Sequence, residues 1–226
     1  MHSRADLSML YQETSKRTLS LWRDAPGCGE VMQNDYYQKE TFAPVTGIQP
    51  PLSDALHALV TAVNALAEGD PLADAMPLHG LHFTFLAIAL PRYPRQQRPE
   101  KLASLLDIWK KYPARLTAIT DLQLVALPGQ LLLAGIPDPA SIADRATLAD
   151  SLLDSDWRQD IQARYANTAF PPPFWHSTLL RYRAQRLPEH WRAFFLARQQ
   201  HRFGSVKAIR KLVMANYNWS QVEPLA

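Results

Sequence analysis

Hydrophobic positions along this chain switch repeatedly between two periods. Leu52, Leu56, Leu59, Val60, Val63 and Leu66 recur at the spacing of one helix face, and Gly69 marks a stop. A second helix is expected near 99–112, where Leu102, Leu105, Leu106 and Trp109 share a face. Between the two lies a denser apolar run, 81–90, closed by Pro91, which reads as a buried strand. Leu116 to Leu127 and Leu131 to Ile136 read as strands joined through a Pro128-Gly129 turn. Asp138-Pro139 opens a helical region over 139–165, with a break near Ser155. A strand follows over 174–182, then a helix carrying Trp191, Phe194 and Phe195 that Gly204 stops, then a last strand over 206–217. Near the start, Leu7 to Trp22 predicts a helix. Thr41 to Gln49 predicts a strand, which Pro44 places near a sheet edge.

The element order repeats after residue 40. A strand entered by a histidine, flanked by helices, occurs once in each half, which predicts an α+β protein of two pseudo-equivalent lobes. The expected organisation is an N-terminal extension over 1–40 and a single bilobal domain over 41–226.

Composition narrows the class without choosing a function. The chain has 226 residues, 47% hydrophobic and 20% charged, as ordinary globular proteins have. No apolar run reaches the ~18 residues of a membrane span, so no membrane partner is expected. The N-terminus lacks the apolar core of a secretory signal. One cysteine, Cys28, excludes an internal disulfide and a zinc–thiolate cluster and fits a reducing compartment, with the cytoplasm as the expected location. A net charge of +3 admits an anionic ligand but is far from polybasic, and a DNA duplex is not an expected partner.

The chemistry lies in the two histidine strands. The first reads His82-Phe83-Thr84-Phe85 and the second His176-Ser177-Thr178-Leu179. Side chains alternate faces along a strand, so each motif presents one imidazole and one hydroxyl to the same side. One such motif is also what a core histidine bonded to backbone would give. Two copies, at matching places in a repeated element order, are a stronger signal. Facing each other, they form a site for a tetrahedral anion, with hydroxyls holding phosphoryl oxygens and the histidines exchanging protons near neutrality.

HFTF and HSTL resemble the paired His-x-Thr/Ser-hydrophobic motifs of the two-histidine (2H) phosphoesterases, which include RNA 2′,5′-ligase-like proteins and 2′,3′-cyclic phosphodiesterases. The likeness spans residues 41–217 in element order. It implies two lobes, each an antiparallel sheet with helices packed outside and a cleft between them. It also implies metal-independent phosphodiesterase activity, without a cofactor, on a cyclic phosphate, a 2′,5′-linkage or an RNA end, the partner being a nucleotide or RNA-derived phosphodiester. His82 and His176 match the acid–base positions, Thr84 and Thr178 the phosphate-holding ones, and Arg181 the basic residue that often follows the second motif. Phe85 departs conservatively from the commoner leucine. A protein that keeps this cleft to bind or sense a nucleotide without turnover is the alternative.

Other residues enter as candidates for substrate contact: Arg92 in the basic loop after the first motif, and Trp175 and Tyr182 at the ends of the second strand, where a ring can stack on a base. No metal is expected. His79 and His82 are three apart, which puts them on opposite faces of a strand, and no carboxylate or cysteine cluster accompanies them. Lys207, Arg210 and Lys211 read as solvated.

Overall fold

A computed structural model describes residues 4–34, 37–112 and 116–226. It is an α+β fold of two antiparallel sheets with helices packed on them. In chain order the elements begin with α1 (Arg4–Asp24), β1 (Thr41–Ile48), α2 (Asp54–Ala67), β2 (Ala73–Ala75), β3 (Phe83–Ala87), β4 (Tyr93–Pro94) and α3 (Leu102–Trp109). They continue with β5 (Leu116–Leu127), β6 (Gln130–Pro137), α4 (Pro139–Leu153), α5 (Arg158–Arg164), β7 (His176–Tyr182), α6 (Glu189–Leu196), β8 (Val206–Ile209), β9 (Lys211–Asn216) and β10 (Val222–Pro224). Among the described residues no helix is long and apolar enough to cross a membrane.

The first sheet runs β10-β9-β1-β3, with β4 also paired to β1, and the second runs β2-β7-β6-β5-β8. The histidine strands β3 and β7 take matching places, each beside the strand that precedes it through a helical crossover: β1 for β3, β6 for β7. The lobes are interlaced. β2 leaves the first half of the chain to pair with β7, and β9 returns from the second half to pair with β1.

Two strand expectations need correction. β1 lies inside its sheet, between β9 and β3, although it carries Pro44. The Pro44 carbonyl accepts from Ile88 N–H, one residue past the end of β3, and the Phe42 carbonyl accepts from Arg92 N–H beside β4. The missing proline N–H therefore falls at a gap in the ladder on that side, where it removes no strand bond. The single strand expected over 206–217 is two. The chain changes sheets at Arg210, where the charged pair Arg210-Lys211 interrupts the apolar pattern. Arg210 is buried where solvation was expected, bonded to Asp144 at 2.6 Å with its guanidinium 4.7 Å from the Phe85 ring centroid.

One large apolar core runs through both lobes and includes Leu7, Tyr11 and Trp22 of α1. A second, small cluster (Val45, Val213, Ala215 and Trp219) belongs to the first sheet and the turn after β9. The helix start expected at Asp138 also ties two elements together. Its carboxylate accepts from Ser141 N–H at 2.8 Å, as an N-cap, and from Ala118 N–H of β5 at 2.9 Å. Asp138→Ala is expected to cost about 1–2 kcal/mol, read as a lowered urea midpoint with an unchanged slope.

Candidate active site

Each histidine strand contains a β-bulge at the same place. β1 pairs Thr46 with Leu86 and Gly47 with Thr84, which leaves Phe85 as the extra residue. β6 pairs Leu131 with Leu180 and Leu132 with Thr178, which leaves Leu179 extra. Both bulges fall three residues after the histidine. A bulge shifts the alternation by one, so the residue that shares a face with the threonine beyond it is the fifth after the histidine. That residue is Ala87 in β3 and Arg181 in β7. The backbone thus repeats the motif, while the side chains give a guanidinium to the second copy only.

The two motifs line one cavity of about 270 Å³ between the sheets, with His82, Thr84, His176, Thr178 and Arg181 all in its wall. Ala43, Val45, Ala87 and Ala215 make a floor of small apolar side chains on the first-sheet side. Gly47 shows how tightly this region is built: a Cβ there would lie 2.6 Å from the Phe83 carbonyl oxygen and 2.8 Å from the Trp219 ring.

His82 is buried and held from two sides. Its Nδ1 lies 2.8 Å from the Gly80 carbonyl oxygen, and its ring stacks on Trp219 at 4.8 Å with an interplanar angle of 8°. A carbonyl only accepts, so Nδ1 carries the proton and the neutral ring has its lone pair on Nε2. His176 packs edge-on to Phe174 at 5.9 Å, and its Nδ1 is buried with no hydrogen-bond partner among the described residues.

Burial pushes both imidazoles well below their ordinary value. His82 falls to about 3, through burial first, against the opposing bond to Gly80, with the charges of Arg181 and His176 adding. His176 falls to about 4, through burial and then the charges of Arg181 and Arg145. Arg181 lies beside the stacked rings of Tyr37 and Tyr217, 5.2 and 5.3 Å from their centroids, which are 5.8 Å apart. Its nearest carboxylate contact, Asp74, is loose at 3.8 Å. Among the described residues no group of three or more His, Cys, Asp or Glu side chains is placed to hold a metal ion.

Three candidate contacts lie outside the cavity wall. The Leu179 bulge turns Tyr182 away, and burial and then the Asp70 carboxylate push its phenol up to about 12. Trp175 is buried, with the Arg145 guanidinium 3.8 Å above its ring. Arg92 is held by Asp160 at 2.5 Å and Tyr93 at 3.1 Å. The wall instead includes residues the sequence reading did not single out for it. Arg164 and Tyr165 come from the end of α5, and the Tyr165 hydroxyl bonds both Ala87 N and Ala87 O on β3. Tyr37 comes from the segment before β1, and Tyr217 and Trp219, which the sequence offers near the C-terminus as further rings able to stack on a base, line the wall as well.

No protein-family model matches this chain, and no curated protein matches it. Among the solved structures similar to it are the following two. The protein TT0787 of Thermus thermophilus superposes with a TM-score of 0.53 at 14% identity, over 81% of this chain and 95% of that one. A conserved protein of unknown function from Agrobacterium tumefaciens, ATU0111, gives a TM-score of 0.48 at 12% identity, over 85% and 90%. At such identity the likeness to TT0787 concerns the fold alone.

Proposed function

We propose that this protein is a phosphodiesterase of the two-histidine type, acting without a metal on a cyclic phosphate, a 2′,5′-linkage or an RNA-end phosphodiester. One observation carries the reading: two His-x-Thr motifs on equivalently bulged strands of different sheets line a single cavity, with one buried guanidinium beside them. Paired acid–base groups must reach the same phosphoryl centre, and a shared cavity is the arrangement that requires.

In hydrolysis of a cyclic phosphate, a water oxygen bonds to phosphorus and one P–O bond of the ring breaks. His82, its lone pair fixed on Nε2, takes the proton of the water. His176, in its protonated form, gives a proton to the leaving oxygen. Thr84 and Thr178 donate to the non-bridging oxygens, and Arg181 offsets their charge. Solvent then returns both rings to their starting states. In the ligand-free cavity both are neutral near pH 7, so the anionic substrate itself supplies the field that charges one of them.

A substrate panel tests this. Purified protein with EDTA is incubated with 2′,3′-cyclic nucleotides, 2′,5′- and 3′,5′-linked oligonucleotides and cyclic dinucleotides, and the products are separated. Turnover of a member of the first two groups, undiminished by the chelator, is the expected result. Tight binding with no product would make the cleft a nucleotide sensor, and neither binding nor product would remove the reading.

A further inference from the structure

The strand that carries His176 is held by a residue far away in sequence. In an antiparallel pair, facing residues at a hydrogen-bonded position exchange two N–H···O bonds. Gly135 of β6 and Trp175, just before β7, exchange only one. Gly135 N–H donates to the Trp175 carbonyl at 3.1 Å. In place of the reciprocal bond stands the Tyr11 hydroxyl from α1. It accepts from Trp175 N–H at 3.2 Å and donates to the Gly135 carbonyl at 2.9 Å. The ladder is thus spread by one hydroxyl oxygen at the residue preceding His176.

The rest of the surroundings keep that hydroxyl in place. Tyr11 is 1% exposed, and its ring lies 5.1 Å from Phe174. Burial pushes its phenol up to about 12, so the hydroxyl stays protonated and serves as donor and acceptor together. Arg145 holds the same two residues from α4, its Nη1 donating to the Phe174 carbonyl at 3.3 Å and its guanidinium lying over the Trp175 ring. Further along α1, the Thr18 hydroxyl and the Trp22 indole N–H bond the Ala126 and Pro128 carbonyls. Those bonds anchor the helix to β5 and the following turn, away from the histidine.

We propose that Tyr11 is a positioning residue for His176: its hydroxyl, inserted between Trp175 N–H and Gly135 C=O, sets where β7 begins and so where the imidazole meets the phosphoryl group. The inference rests on the proposed acid–base role of His176. It makes α1 part of the reacting apparatus, and removal of one atom is enough to test it.

Tyr11→Phe keeps the ring and its packing and deletes the hydroxyl; Thr18→Val deletes a bond of the same helix that does not touch the histidine strand. Tyr11→Phe is expected to lower kcat by about 10- to 100-fold with KM nearly unchanged, because a misplaced reacting group costs rate more than binding. Thr18→Val is expected to leave both near wild type. Equal loss in both variants, or loss in neither, would overturn the proposal. A readout independent of turnover separates it from the assigned chemistry. In NMR titrations of the imidazoles, Tyr11→Phe should move the midpoint and shifts of His176 and leave those of His82 in place. If wild type turned over no substrate while the His176 signals moved this way, the phosphodiesterase reading would fail and the positioning would stand. Unchanged His176 signals would overturn the positioning itself.

Discussion

Replacing either His82 or His176 with alanine is expected to cut kcat by about 10²- to 10⁴-fold, the range that general acid–base groups supply. The two losses should not add. Each ring handles one proton of a single displacement, so the double variant should be about as slow as the slower single one. The variants will differ in stability. His82→Ala also removes the partner stacked on Trp219 and the donor to Gly80, and it should melt lower than His176→Ala, whose Nδ1 makes no bond among the described residues. Comparing activity with the melting curve separates lost chemistry from lost structure. A double variant that turned over substrate at the wild-type rate would end the assignment.

How far the sequence carried this picture can be judged residue by residue. The main helices, the histidine strands and the shared face of each His-Thr pair follow from hydrophobic period and alternation and appear in the structure, whereas the short strands β2, β4 and β10 and the division of 206–217 are not read from them. Alternation also leads two residues too far. Counted from Thr178, it puts Tyr182 in the cleft and Arg181 behind it, and the Leu179 bulge exchanges them. Nothing in HSTLLRY marks that bulge, because no glycine stands at the extra position. Arg181 entered through resemblance to a family, and the bulge supplies its physical reason. Alternation alone argues against Trp175 as a cleft residue, since it adjoins His176 and faces the other way. Tyr165 and Trp219 enter the wall through tertiary contact: one where α5 ends against β3, the other in a turn where Asn216 and Asn218 bond the backbone of Gln221 and Ser220.

The cleft is symmetric in its backbone and unsymmetric in its charge. Five residues after each histidine stand Ala87 and Arg181, on faces made equivalent by the matching bulges. The first sheet therefore offers the anion a hydroxyl, an imidazole and an apolar floor, and the second offers a hydroxyl, an imidazole and a guanidinium. A phosphoryl group bound between them should lie with its most negative oxygens toward β7, and the remainder of the ligand can then rest on the small side chains of β1 and β9. Such an orientation would give the two histidines different tasks in spite of the repeat.

Acidification should destabilise the protein through these same two histidines. Their folded values, about 3 and about 4, lie below the ~6.5 of an unfolded chain. Between pH 6.5 and about 4 the unfolded chain binds protons that the folded one refuses. The stabilisation is therefore full above pH 6.5 and is lost as pH falls, at up to about 1.4 kcal/mol per pH unit for each ring. Urea unfolding from pH 7.5 to 4.5 should show this slope, and His82→Asn/His176→Asn should flatten it. An equal slope in that double variant would mean that carboxylates, not these rings, govern acid stability. The same linkage reaches the ligand. A bound phosphoryl anion stabilises an imidazolium, so binding of a non-hydrolysable phosphate diester at pH 7 should draw up to one proton from solution. Calorimetry in two buffers of different ionisation enthalpy measures that uptake. It should vanish in the double variant, and an apparent enthalpy identical in both buffers for wild type would refute the proposed coupling between phosphate charge and the histidine pair.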